Sequence, residues 1–434
     1  MSSQYRGGCK WTPTSHSRDP TRAAQNWEVS CEGLPPFINS YPPNPAQRGS
    51  AYFTPAGQGR CDCKGVNTTC MRYATGVDGS ACAMATTADG EGITPPLLDV
   101  PVFKEARRKL SIAADNLRKS GQPFYMAVGI KRPHLVWRVP QSILDEHYPR
   151  GEFTPRLPVQ RVLHKSVDPI AWTPFFTSQP SVPLTDNHTQ ELRRYYYAAI
   201  TWADYCVGQV LDQLDALNLT QATAVVIHAD HGWHLGEYNM WEKRTVWELG
   251  TRVPLMMHVP WMPTSHGQRT AAPVELIDVY PTLLDLFGIS APATDTHALE
   301  GHSWRPLLQD PALPVLAARP LARSTYPRCP KIARPEYDDA CIHAVERGTF
   351  PFMGYTIRTT EWRFTAWYAW NGTALAPRTD LAPHSVELYD HREDVPGGAE
   401  WEHRDGFEDI NVATENPDVV SRLERMLLSA FSLT

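Results

Sequence analysis

The chain has 434 residues, of which 42% are hydrophobic and 20% charged, with a formal net charge of -6. That length exceeds one ordinary domain and that composition supplies a large buried core, which excludes a small disulfide-only scaffold and a chain disordered throughout. The negative balance provides no basic field for nucleic acid or an anionic membrane, so a polyanionic partner has to be held by a local basic pocket.

Residues 1–95 read as an irregular segment rich in cysteine, with Cys9, Cys31, Cys61, Cys63, Cys70 and Cys82 all in its first 82 positions. Cys61-Asp-Cys63 followed by Cys70 is not matched by a second set of metal ligands, so disulfides are expected, with the pairing open. Sequons at Asn67, Asn187, Asn218 and Asn371 agree with a secretory route. The first residues hold no apolar signal region, and no later run approaches the roughly 20 apolar residues of a membrane span. The expectation is therefore a protein whose start is missing, lysosomal or extracellular when complete.

Helical spacing of Val102, Phe103, Ala106, Leu110, Ala113, Ala114 and Leu117 predicts a helix that stops at Ser120-Gly121. Phe124 to Ile130 is a short apolar run suited to a buried strand. Nine prolines between 131 and 185 read as a long, ordered surface excursion. A second helix is expected from about His188 to Leu217, with Leu192, Tyr195, Tyr196, Ala199, Trp202, Ala203, Cys206, Val210 and Leu214 on one stripe. Two further buried strands follow at 222–227 and 253–259, then a short helix over Val274–Phe287 ending at Gly288. All three apolar runs are expected in one largely parallel sheet. Beyond about 290, Arg363–Tyr368 and Val386–Tyr389 read as strands of an antiparallel sheet and 417–431 as a closing helix. The division expected is thus an irregular segment 1–95, an α/β core 96–290 and a smaller α+β subdomain 291–434.

In open α/β sheets ligands bind beyond the carboxyl ends of strands. There the second strand runs into Asp230-His231-Gly232, an acid and an imidazole side by side, although Asp and Gly also suit a plain turn. Trp233, Gly236, Glu237, Trp241 and Lys243 continue the same edge, and the first strand runs into Lys131, Arg132, Pro133 and His134. If these clusters converge, His134 and Lys243 donate to anionic oxygens while Asp230 and His231 hold a cation that polarises the same group. That is apparatus for hydrolysing a phosphate or sulfate ester.

Three blocks, Pro123-Phe-Tyr-Met-Ala-Val-Gly-Ile-Lys-Arg-Pro-His134, Ala229-Asp-His-Gly-Trp-His-Leu-Gly-Glu-Tyr-Asn-Met-Trp-Glu-Lys243 and Thr251-Arg-Val-Pro-Leu255, resemble the sulfatase family, nearest to its iduronate-2-sulfatase branch. Met353–Trp367 and Glu387–Asp390 resemble the C-terminal subdomain of that branch. The resemblance implies an alkaline-phosphatase-like fold, with a mainly parallel sheet flanked by helices. It also implies Asp230 and His231 in a calcium site, Lys243 and His134 on the sulfate as the catalytic pair, and Lys131, Arg132, Trp233 and Trp241 around the substrate. The partner implied is a sulfated saccharide such as a 2-sulfated uronic acid residue. Sulfatases attack with a formylglycine made from cysteine in a Cys-x-Pro/Ala-x-Arg context, and no arginine stands four residues after any of the nine cysteines here. Without that nucleophile the chain is expected to bind without turnover. Two other readings stay open: a metal-dependent phosphodiesterase of the same superfamily, using zinc, to which imidazole is a natural ligand, and a non-catalytic protein that binds sulfated glycans.

Overall fold

The computed structural model describes residues 9–13, 27–31, 84–87, 97, 99–135, 137–173, 181–291, 299–314, 317, 319–330, 337–338, 350–393 and 408–433. The side chains of the six early cysteines lie outside that description. Two compact units emerge, one from residues 1–71, 80–144 and 198–213, the other from 72–79, 145–197 and 214–434.

In the first unit β1 (Cys9–Pro13) and β2 (Trp27–Cys31) form an antiparallel ladder, and β3 (Met84–Thr87) lies parallel to β4 (Trp137–Pro140). The first expected helix is α1 (Asp99–Ser120), which buries Val100, Phe103, Ala106, Leu110 and Ala114 and keeps Arg118 and Lys119 in its last turn. Gly121 ends it with φ +69°, its amide bonded to the Leu117 carbonyl, the left-handed stop that glycine favours. After β4 comes α2 (Gln141–His147), and α3 (Asp186–Ala216) is the long amphipathic helix that the tyrosine and alanine stripe predicts. Trp202 and Cys206 of α3 close a core with Leu97, Val100 and Phe103.

The three apolar runs do not share one parallel sheet. Residues 121–131 form no strand, and Tyr125 is 72% exposed. β propensity makes such a run extended, but only a neighbour makes it a sheet strand. β5 (Val225–His228) pairs with β8 (Leu255–His258), and the pairing is antiparallel. A parallel return needs a long crossover, usually a helix. Here the connection holds only a tight hairpin, β6 (His234–Leu235) with β7 (Trp241–Glu242), and one turn of helix, α4 (Glu248–Thr251). Farther on, α5 (Val279–Phe287) ends at Gly288 as its spacing predicts, and α6 (Arg305–Gln309) follows.

The C-terminal strands behave as expected. β9 (Ala322–Pro330), β10 (Tyr337–Asp338), β11 (Phe352–Arg358), β12 (Trp362–Asn371), β13 (Ala376–Pro377) and β14 (Ser385–Asp390) form an antiparallel sheet in the order β10-β9-β11-β12-β13, with β14 also on β12. Period 2 gives β12 two buried faces. Trp362, Phe364, Ala366 and Tyr368 join Leu423 and Leu427 of α7 (Pro417–Ala430) in one cluster. The alternate residues differ in kind: Trp367 joins Trp247, Tyr238 and Met240, and Arg363 reaches Glu248 of α4. The second face of β12 is therefore a floor under residues 238–248.

Candidate active site

β5 delivers Asp230 and His231 at its carboxyl end, and the turn holds only because position 232 is glycine. Gly232 donates to the Gly250 carbonyl at 3.0 Å, and any Cβ there would collide with the Leu249 carbonyl and lie 2.7 Å from that of Arg252. Asp230 is 86% exposed, and its Oδ1 accepts the His231 amide at 3.1 Å. The His231 Nδ1 lies 2.9 Å from the Gly232 carbonyl. A carbonyl only accepts, so Nδ1 carries the proton in the neutral ring and the Nε2 lone pair is left 3.5 Å from Asp230 Oδ2. Two lone-pair donors that close, in an open position, fit a divalent cation as two of its ligands, the carboxylate being the natural calcium donor.

The hairpin carries Lys243 back to the same edge. Its ammonium stands 5.4 Å from the Trp233 ring centroid, and the face of Trp233 is itself supported by Tyr196 of α3, with ring centroids 6.2 Å apart. Burial pulls the Lys243 ammonium below the usual lysine range, with the Glu242 and Asp230 carboxylates acting in the opposite direction. Asp230, His231, Trp233 and Lys243 are thus brought together. Trp241, expected at the substrate, is 1% exposed and sits against Gly236, where a Cβ would come 3.0 Å from its ring. It shapes the hairpin from within.

Left-handed backbone shapes the hairpin too, with φ of +103° at Gly236, +55° at Tyr238, +61° at Asn239 and +79° at Glu242. Non-glycine residues hold such angles only where their surroundings over-determine them. Here the restraint is a buried ion pair, Arg193 Nη1 to Glu237 Oε1 at 3.1 Å, together with the Leu235 amide on Glu237 Oε2 at 2.5 Å. His234, fully buried and pushed down to about 3 by desolvation, stays neutral and bonds Thr245 Oγ1 at 2.8 Å. Sequence reasoning placed Glu237 at this edge but passed over its partner Arg193; an arginine pair beside an apolar helix stripe was the available signal.

Lys131, Arg132 and His134 occupy one turn of the first unit. The His134 amide bonds the Lys131 carbonyl at 2.9 Å, and the Lys131 amide bonds Asp99 Oδ1 at 2.6 Å. His134 Nδ1 faces the Leu135 carbonyl at 2.6 Å. Arg132, expected at the substrate, is buried and donates to the His134 carbonyl at 3.3 Å, which makes it a support of the turn.

A second constellation, Glu248, His391 and Glu408, brings its potential ligand atoms within 4.8 Å of one another. Its chemistry is that of an ion-pair hub. Arg363 reaches both carboxylates, Arg358 Nε is 3.2 Å and Arg252 Nη1 3.3 Å from Glu248, and His391 Nε2 is 3.2 Å from Glu408. A divalent ion would join three guanidinium charges already facing two carboxylates. Beside the hub, the buried Glu387 accepts from Trp247 Nε1 at 2.9 Å, Trp367 Nε1 at 2.6 Å and the Tyr389 hydroxyl at 2.7 Å.

The chain thus sets an acid-imidazole pair and a largely buried lysine at one strand end. The sulfatase profile matches residues 64–289, more than half of the chain, and the protein belongs to the sulfatase family. It is 27% identical to iduronate 2-sulfatase of Homo sapiens over 68% of this chain and 61% of that one, and 29% identical to the Mus musculus enzyme over 69% and 60%. Arylsulfatase K of Xenopus laevis is 27% identical over 63% of this chain and 49% of its own. The chain spans about three fifths of the length of the iduronate 2-sulfatases it matches. Among solved structures it is similar to the phosphonate monoester hydrolase of Agrobacterium radiobacter, with TM-score 0.54 and 19% identity over 76% of this chain and 60% of that one. That likeness establishes the alkaline-phosphatase-like α/β fold.

Proposed function

We propose that the site serves hydrolysis of sulfate esters on saccharides, with 2-sulfated uronic acid residues of glycosaminoglycan-like chains as the substrate class and calcium as the metal. The observation that carries this reading is the Lys243 ammonium held over Trp233 beside Asp230 and His231. Asp230 and His231 Nε2 would hold the cation, which when bound polarises the ester. Lys243 donates to a sulfate oxygen, and because burial has lowered its proton affinity it is also able to release a proton to the leaving alcohol. His134 shares that role by resemblance. The net charge of -6 makes selection of an acidic sugar a local matter of these cations.

No cysteine in the chain stands in the Cys-x-Pro/Ala-x-Arg context, which favours a second reading of residues 1–434: sulfated-glycan binding without turnover. Calorimetric titration with inorganic sulfate and an aryl sulfate, with and without calcium, tests both. Binding is expected, and Lys243→Ala should weaken it by about 10- to 100-fold, the value of a charge-assisted hydrogen bond. Equal affinity of Lys243→Ala and the wild type refutes the site. Tighter binding of a phosphodiester than of a sulfate ester transfers it to the phosphodiesterase class, and turnover above an Asp230→Ala control overturns binding alone.

A further inference from the structure

Lys243 sits on a stretch with no regular structure of its own, between the end of β7 at Glu242 and the start of α4 at Glu248. Something else must fix its backbone. The His234–Thr245 bond ties the stretch to the hairpin, the Trp247 indole ties its far end to Glu387 of β14, and a guanidinium ties the carbonyl next to Lys243 to β9. Arg328 of β9 is fully buried, and its Nη2 donates to the Arg244 carbonyl at 2.7 Å. The same fork donates from Nε to the Ile170 carbonyl at 2.9 Å and from Nη2 to the Ala171 carbonyl at 3.2 Å. Its plane is held over Trp367 at 5.3 Å and Tyr326 at 4.9 Å, so the fork has little freedom to turn.

We propose that Arg328 is the positioning residue of Lys243: by clamping the adjoining Arg244 carbonyl to the 169–171 turn, it keeps the ammonium over Trp233 and aimed at the anion. The assignment rests on the reading of Lys243 as an anion contact. Arg328 touches no substrate. Its effect is on the entropy of the loop, since an unclamped Lys243 would have to be ordered anew at each binding event.

The test compares Arg328→Lys with Leu427→Ala, which opens a cavity beneath α7 and lowers stability without approaching the loop. Lysine keeps the charge but cannot fork. In Arg328→Lys, amide hydrogen exchange of residues 244–247 should quicken by about 10-fold or more, and inorganic sulfate should bind about 10-fold more weakly. Leu427→Ala should lower the melting temperature and leave both readouts within about 2-fold of wild type. Wild-type exchange rates in Arg328→Lys, or equal changes in the two variants, overturn the proposal. A measurement on the unaltered protein stands independently of how the variants fold: with rising denaturant the amides of 244–247 should open together with those of β9, and earlier opening of 244–247 also overturns it. If Arg328→Lys frees the loop while Lys243→Ala binds sulfate like the wild type, the anion assignment falls instead.

Discussion

Replacing Arg363 by methionine removes one charge from the centre of the Glu248–Glu408 hub while keeping most of the stem volume. Removing one partner of a buried ion pair costs about 3–5 kcal/mol, chiefly because the other charge stays buried. Two carboxylates would lose Arg363, yet neither is abandoned. Glu248 keeps Arg358 at 3.2 Å and Arg252 at 3.3 Å, while Glu408 keeps His391 at 3.2 Å and the Glu248 amide at 2.6 Å. The lower end, about 3 kcal/mol, is the expectation, and at about 2–4 °C per kcal/mol it lowers the melting temperature by about 6–12 °C. The pH dependence supplies an independent reading. Burial raises both carboxyls, and Arg363 more than reverses this only in company, with Arg358, His391 and Arg252 around Glu248 and with His391 beside Glu408, leaving both below the usual glutamate range. Stability that rests on a depressed carboxyl is complete above the unfolded-state value of about 4.3 and is lost as pH falls toward the folded-state value. With Arg363 gone the depression shrinks, so acid unfolding should begin at higher pH than in the wild type. Urea melts from pH 3 to pH 7 check both. A loss below about 1 kcal/mol at pH 7, or superimposable acid limbs, would refute an ionised hub.

Glu387→Gln should cost about 1–3 kcal/mol in thermal unfolding, because an amide nitrogen then faces the donors that both carboxylate oxygens now accept, and an unchanged melting temperature contradicts that bonding. Gly232→Ala should destabilise by several kcal/mol and weaken sulfate binding together, as its Cβ meets backbone of α4; Gly208→Ala, in open space on α3, should stabilise by up to about 1 kcal/mol in the same urea assay. Calcium should raise the melting temperature of the wild type and leave that of Asp230→Asn unmoved, since the exposed Asp230–His231 pair is open to it.

What the sequence made legible was periodic. α1, α3 and α7 follow from apolar stripes, and β12 and β14 from strand composition, because each pattern is complete within its own element. The run at 124–130 was equally apolar and misleading, since pairing depends on a neighbour the run does not contain. Asp230, His231, Trp233 and Lys243 could be found because they are close in sequence and follow a strand. Arg328 could not, being 84 residues from the carbonyl it clamps, and nothing in a tyrosine or glutamate announces the left-handed backbone of Tyr238 and Glu242.

The hub also sets a clock. Glu248 is 110 residues from Arg358 and 115 from Arg363, so on a growing chain the helix turn after Lys243 is made long before these two arginines of the sheet reach its acid. At about 5–20 residues per second, that wait is roughly 5–25 s. During it the rings of Tyr238 and Trp247 lie without the sheet that later covers residues 238–248, an interval in which a chaperone, or a second nascent chain, has the first claim on them.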